Sequence, residues 1–316
     1  VRVLPPAEPG GACEFELTLS DGRTLHAQRV VCAMGPGPMF AGMRAHLPGW
    51  CDQLRASLPR AVGAPGGDAS CRLRHSSSLV PWLLGEEAGS GGAPQLQGKR
   101  VLVVGGGQTA GHLALLGLVS GVAQLTLAAR RPLTAKPFDV RLELIGDRRA
   151  EQLADFWKLD HAGRLAYMQD ARRGGSMSHE VHHALLEHAA AAAAAASDGA
   201  DGGTLQLLEE VEVSGARWEP QPSSAAGGGR RDDDDDDDDD DKAEAEAPIA
   251  VRFDDGSEGR FDYVWLATGG ELDVALVPFF ASLLQQRPIP VMAGLPCLQH
   301  ATLAWDERCP LHVLGA

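Results

Sequence analysis

The sequence predicts an α/β fold organised around a parallel, helix-covered sheet, and two observations carry that prediction. Residues 97–131 read as a complete strand, glycine turn, helix and strand. A hairpin followed by a buried strand occurs twice, once on each side of that unit. With 316 residues and 44% apolar side chains, the chain is long enough to build two cores.

The first hairpin copy opens the chain. Phe15 to Leu19 alternates apolar and polar residues, Asp21-Gly22 supplies a tight turn, and the next strand ends in Val30-Val31-Cys32-Ala33-Met34-Gly35. The second copy repeats this order: Ile249 to Phe253 alternates, Asp255-Gly256 turns, and a strand ends in Val264-Trp265-Leu266-Ala267-Thr268-Gly269. In both copies the final glycine falls 13 positions after the turn glycine, a coincidence of spacing that argues for one structural unit used twice.

Between the copies, Lys99-Arg100 precede an apolar strand, Val101 to Val104, which runs into Gly105-Gly106-Gly107-Gln108-Thr109-Ala110. An apolar helix follows, stopped near Gly121, and then a second strand from Gln124 to Ala129. In that context Gly105-x-Gly107-x-x-Ala110 fits a Rossmann-like dinucleotide site. The first glycine permits the sharp turn, the second lets backbone approach a pyrophosphate, and the small Ala110 lets the helix pack closely. Amides at the helix N-terminus would then hold the phosphates, which assigns that role to Gly105, Gly106, Gly107, Gln108, Thr109 and Ala110. The second strand ends on Arg130-Arg131, where an acid would be expected for bare ribose hydroxyls; two guanidinium groups suit a 2'-phosphate and favour NADPH over NADH.

The remaining segments are less informative. Residues 39–97 are rich in Gly and Pro and read as a connection between domains. Residues 220–246, with Gly227-Gly228-Gly229 and the Asp232–Asp241 run, are low in complexity and read as a disordered acidic insertion between two strands. The formal net charge of −15 falls to −5 once the ten charges of that run are set aside, so no basic face for nucleic acid is expected. The apolar stretch Ala110 to Ala129 is broken by His112, Gly117, Ser120, Gly121 and Gln124, which argues for helix, turn and strand rather than a membrane span. Six scattered cysteines with no C-x-x-C pair favour a reduced, intracellular setting and speak against a thioredoxin-reductase-like enzyme. The chain begins at Val1 and ends on Gly315-Ala316 after an apolar run, so both ends are expected to be internal to a longer protein.

His179-Glu180-Val181-His182-His183 matches H-E-x-x-H, the helical pattern of zinc hydrolases. Ser178 reads as an N-cap, which would put His179 in the opening turn, and no third ligand follows at a recognised spacing. Phe138-Asp139, Phe156-Trp157 and Tyr167 follow the second strand, where they fit either an aromatic wall beside a nicotinamide or core packing. Trp305, Asp306 and His300 precede the last predicted strand and fit either a pocket rim or a structural loop.

The stretch Val103-Val104-Gly105-Gly106-Gly107-Gln108-Thr109-Ala110, the later Leu266-Ala267-Thr268-Gly269 and the closing Leu311-His312-Val313-Leu314-Gly315-Ala316 resemble the flavin-containing and N-hydroxylating monooxygenases, the ornithine and lysine hydroxylases above all. The resemblance implies an α/β, three-layer flavoprotein with two dinucleotide-binding domains. Residues 1–38 would be the end of the first FAD-domain segment, 98–270 the NADP-binding domain, and 271–316 the return to an FAD domain that is incomplete here. It also implies that Gly35, Thr268, Gly269 and Gly315 border the cofactors, with Met34 standing where such strands carry threonine. The implied activity is an FAD- and NADPH-dependent oxidoreductase in which NADPH reduces FAD, which then uses O2 on a small-molecule substrate. No acid or base in the sequence stands out as catalytic. A non-catalytic nucleotide-binding or sensor protein, and a zinc hydrolase on His179, Glu180 and His183, are the alternatives.

Overall fold

The computed structural model describes residues 1–6, 11–33, 43–57, 72–83, 95–136, 142–172, 176–197, 204–219 and 247–313. The elements, numbered in chain order, are β1 (Arg2–Leu4), β2 (Glu14–Thr18), β3 (Thr24–Ala27), β4 (Val30–Cys32), β5 (Met43–Ala45), α1 (Trp50–Ser57), β6 (Leu73–His75), α2 (Ser76–Leu83), β7 (Arg100–Val104), α3 (Gln108–Val119) and β8 (Gln124–Ala129). They continue as α4 (Arg149–Lys158), α5 (His161–Arg172), α6 (His179–Ser197), β9 (Thr204–Glu209), β10 (Val213–Trp218), β11 (Ile249–Phe253), β12 (Glu258–Phe261), β13 (Tyr263–Leu266) and β14 (Gly270–Leu272). The last are α7 (Pro278–Gln286), β15 (Val291–Met292), β16 (Leu295–Pro296), β17 (Ala304–Asp306) and β18 (Cys309–Val313).

These elements form two compact units, one made of Val1–His46, Val140–Ala171 and Gly270–Ala316, the other of Leu47–Asp139 and Arg172–Gly269. The second unit is built on a five-stranded parallel sheet in the order β6-β13-β7-β8-β9. Its central strands β13, β7 and β8 are largely apolar because both faces are covered. On β7, Val101 and Val103 face a core shared with Leu79 and Trp82 of α2, Leu113 and Ala114 of α3 and Leu185 of α6. Leu102 between them faces the other way, into a core with Trp50 and Leu54 of α1 and the antiparallel sheet β10-β11-β12. Helices, parallel sheet and antiparallel sheet therefore make three layers, the period-two alternation of one strand serving two cores.

The first unit holds the antiparallel sheet β1-β2-β3 and the sheet β17-β18-β4, in which β18 and β4 run parallel with Val313 opposite Cys32. Its core gathers Phe15, Cys32, Phe280, Leu283, Trp305 and Leu311.

The duplicated hairpin is present in both units, down to its hydrogen bonds. Gly22 and Gly256 each turn at φ 84°, a conformation that favours glycine. The Oδ1 of Asp21 accepts from Arg23 N (3.0 Å), and that of Asp255 accepts from Ser257 N (2.9 Å). Each aspartate thus closes its own turn. The acidic insertion lies outside the described residues, but its flanks are paired as a hairpin requires, with Trp218 opposite Ile249.

The unit boundaries differ from the sequence expectation of a connector at 39–97 and a continuous domain at 98–270. The 39–97 stretch contributes α1, β6 and α2 to the second unit, because the three-residue β6 pairs with β13, almost two hundred residues later. Residues 140–171 join the first unit, where Trp157 meets His300 edge to face at 4.3 Å and Phe156 meets Tyr167 at 5.5 Å. Trp305 is fully buried, stacked on Phe280 with its indole N–H donated to the Arg287 carbonyl (2.7 Å), and is a core residue rather than a pocket rim.

Candidate nucleotide-binding site

The parallel sheet brings the C-terminal ends of five strands to one edge. In register, His75 of β6 stands beside Leu266 of β13, which stands beside Val104 of β7, and Val104 beside Ala128 of β8. The chain segments that leave this edge are Gly105–Gly107, Ala267–Gly269 and Arg130–Arg131, the residues singled out from the sequence. Open α/β sheets bind ligands beyond such strand ends.

Gly105 makes the turn out of β7. Its N–H donates to the Ala128 carbonyl (2.9 Å), its φ is 147°, and a Cβ built on it would overlap the Ala267 carbonyl oxygen. No other residue could make this turn so close to the neighbouring strand end. Two residues on, Gly107 is the N-cap of α3. It has no side chain to bond the opening amides of the helix, and a Cβ placed there would meet nothing within 4 Å. The opening amides of a helix lack intrahelical partners and carry its positive dipole end. Among the described residues no side chain caps them and open space lies over the N-cap, a combination that suits an anion held by backbone. Gly106 is half-buried in the same turn, and Thr109 is exposed on the first helical turn.

Gln108 and Ala110 have further roles. The Gln108 carbonyl oxygen accepts from Ser178 N (2.6 Å) and its amide nitrogen lies 3.1 Å from His112 Nε2. Its side chain is thus committed to the start of α6, leaving its backbone amide at the helix N-terminus. Ala110 is fully buried in the helix-side core. The next residue, Gly111, is where α3 and α6 touch, since a Cβ there would collide with Val181.

At the end of β8, Arg130 and Arg131 are exposed, and Arg130 Nη1 lies 3.7 Å from Glu212 Oε1. No local pattern in the chain points Glu212 toward Arg130. It arrives through the turn after β9, where Val211 N donates to the Ala129 carbonyl (3.1 Å) and Glu209 accepts from Leu133 N (2.7 Å).

Thr268 and Gly269 follow β13, and here the structure adds a residue that sequence reasoning missed. His75 is buried, with Nε2 2.9 Å from the Gly269 carbonyl oxygen and Nδ1 2.9 Å from Ser77 Oγ. It ties the end of β6 to the end of β13. The available signal was Leu73-Arg74-His75 running into Ser76-Ser77-Ser78, a short alternating strand passing directly into a helix start.

Gly35 and Gly315, expected near a flavin, lie outside the described residues, as do Met34, Phe138 and Asp139. What is described is that β4 and β18 run parallel, with their last residues, Cys32 and Val313, as register partners.

The H-E-x-x-H pattern opens α6, as the sequence predicted, with Ser178 Oγ accepting from Val181 N (3.4 Å). The Glu180 carboxyl is held below its usual range by its own backbone amide and then by Ser178, a helix-opening arrangement. His183 pairs with Glu187 at 3.4 Å. Among the described residues no three His, Cys, Asp or Glu side chains converge as a metal site would require, and no helix is long and apolar enough to cross a membrane.

No protein-family model matches the chain, and no curated protein matches it. Solved structures do. The FAD-bound cadaverine monooxygenase DfoA of desferrioxamine biosynthesis in Erwinia amylovora is 18% identical, with 96% of this chain aligned to 58% of that one at a TM-score of 0.53. The ornithine N-hydroxylase KtzI of Kutzneria sp. 744, with reduced FAD, NADP+ and L-ornithine, is 15% identical over 98% of this chain and 63% of its own, at 0.53. The L-lysine 6-monooxygenase of Pseudomonas syringae is 16% identical over 94% of this chain and 58% of its own, also at 0.53. The chain therefore has the α/β fold of two-dinucleotide-binding flavoprotein monooxygenases, and it spans about three fifths of the length of these relatives in fold.

Proposed function

We propose that this chain is the NADPH-binding body, together with part of the FAD-binding body, of a flavin-dependent oxidoreductase of the monooxygenase kind. One observation carries the nucleotide assignment: the uncapped N-terminus of α3 under open space at Gly107, on the sheet edge from which Arg130 and Arg131 also leave. Backbone amides at Gln108 and Thr109 would hold the pyrophosphate, and the two arginines the 2'-phosphate. His75 acts indirectly, fixing the carbonyl of Gly269 so that the segment after β13 keeps its course beside the Gly105 turn.

The flavin assignment rests on the fold and on the parallel β18 and β4, whose ends lead toward Gly315 and Gly35. FAD would accept hydride from NADPH and pass the electrons to O2, with a small molecule as the final substrate. The chain's own part in that chemistry is to bind and orient the nucleotide.

The test has two stages. Calorimetric titration of this chain with NADP+ and NAD+ should show binding of both, tighter for NADP+; absence of any nucleotide binding would remove the reading. The protein expressed with its neighbouring coding sequence should then carry a flavin absorption band that bleaches without air on adding NADPH, and less readily with NADH. A colourless protein that still binds NADP+ would favour a nucleotide sensor.

A further inference from the structure

The surroundings of Arg130 are unusual for a phosphate site because they are acidic. Glu209 ends β9, Glu210 and Glu212 lie in the turn that follows it, and that turn is tied to the segment leaving β8. Ala129 and Glu209 are register partners, Val211 N donates to the Ala129 carbonyl, and the Glu209 carboxylate accepts from Leu133 N. Glu212 is fixed from its other side as well: its N–H donates to Asp254 Oδ1 and its carbonyl accepts from Asp254 N, both at 2.9 Å. Four hydrogen bonds, two of them between backbone groups and two from a backbone N–H to a carboxylate, therefore deliver the Glu212 carboxylate to Arg130, where it lies 3.7 Å from the guanidinium. Both side chains remain more than half exposed, at 69% and 57%, so the pair opens at little cost. Arg131, also exposed, makes no ion pair among the described residues.

We propose that Glu212 is a specificity-determining residue that competes with a nucleotide 2'-phosphate for Arg130. Resting on the NADPH reading of this site, the inference is that Glu212 holds the guanidinium while no phosphate is bound. When a 2'-phosphate arrives, the carboxylate must leave and then faces a dianion across a few ångströms, a like-charge penalty that a nucleotide without that phosphate does not incur. Glu212 thus lowers the preference for NADPH below what two arginines alone would give, and brings the two nicotinamide nucleotides closer in affinity.

The experiment is titration calorimetry of the whole chain with 2',5'-ADP and with 5'-AMP, for the wild type, E212Q, R130A and the double variant. The backbone bonds that place residue 212 do not involve its side chain, so E212Q retains the turn. E212Q is expected to bind 2',5'-ADP about two- to fivefold more tightly, the range an exposed ion pair commands, with 5'-AMP unchanged and the gain shrinking as salt is raised. R130A should weaken 2',5'-ADP selectively, and E212Q should add nothing in the R130A background, since the two residues act through one contact. An unchanged affinity of E212Q for 2',5'-ADP, or an equal gain for both ligands, overturns the role of Glu212 while a selective loss in R130A leaves the nucleotide reading standing. If R130A loses no selectivity, or the wild type binds neither ligand, the reading of the site fails and the inference with it.

Discussion

Gly105 lies directly against the carbonyl oxygen of Ala267, so that two neighbouring parallel strands end with no room for a side chain between them. The Ala267 N–H in turn donates to the Val104 carbonyl (2.8 Å), locking the two strand ends together. Gly105→Ala must therefore both strain φ and displace the segment after β13, and is expected to cost about 2–4 kcal/mol of stability by denaturant unfolding. A loss under 0.5 kcal/mol would show that the segment yields easily.

Gly107 makes the opposite prediction, because a Cβ built there meets nothing within 4 Å among the described residues. Gly107→Val should unfold within about 1 kcal/mol of the wild type yet lose NADP+ and NAD+ alike, its side chain filling the place of the pyrophosphate. Titration on the folded variant decides it, and retained binding of either nucleotide would reduce the loop to a turn.

Replacing both Arg130 and Arg131 with alanine should weaken NADP+ by about ten- to a hundredfold, the worth of one or two charge-assisted hydrogen bonds, with NAD+ changed little. Equal losses for the two nucleotides would remove the 2'-phosphate assignment.

Asp262 links stability to pH. Burial alone would raise its carboxyl, but hydrogen bonds from the Arg100 side chain and from Arg100 N (2.7 Å), with the charges of Arg100 and Arg72, outweigh this and hold it below the usual aspartate range. A carboxylate depressed on folding contributes stability that is full above its unfolded value, near 3.9, and is lost as pH falls through the folded value. The wild type should lose stability on acidification below about pH 4 by more than Asp262→Asn does. At neutral pH that variant should be less stable by about 1–3 kcal/mol. Parallel acid profiles for the two proteins would show that Asp262 carries none of the dependence.

His75→Ala removes a buried imidazole that bridges the Gly269 carbonyl and the Ser77 hydroxyl, at a cost of about 1–2 kcal/mol, the worth of one or two net hydrogen bonds. Thermal unfolding measures this, and an unchanged midpoint would mean that the bond contributes nothing net.

How legible these features were followed from how local they are. The strand, glycine turn, helix and strand at 97–131 could be read because each signal lies within a few residues of the next, and β8 falls on the predicted Gln124–Ala129. Both Asp-Gly turns were likewise visible, since an aspartate closing its own turn needs no distant partner. By contrast β6 is three residues inside a Gly- and Pro-rich stretch, and nothing in Leu73-Arg74-His75 names β13 as its partner. The allegiance of α4 and α5 depends on ring contacts such as Trp157 with His300, across more than a hundred residues of chain.

The sequence by itself determined that a glycine turn links β7 to a helix, that two arginines follow β8 and that one hairpin unit is used twice, because turn chemistry and burial alternation are properties of neighbouring residues. Only the tertiary structure decided that His75 holds Gly269, that Gln108 is spent on Ser178 and that Glu212 stands over Arg130. Those pairings are fixed by strand order and register, which bring together residues that no short-range pattern relates.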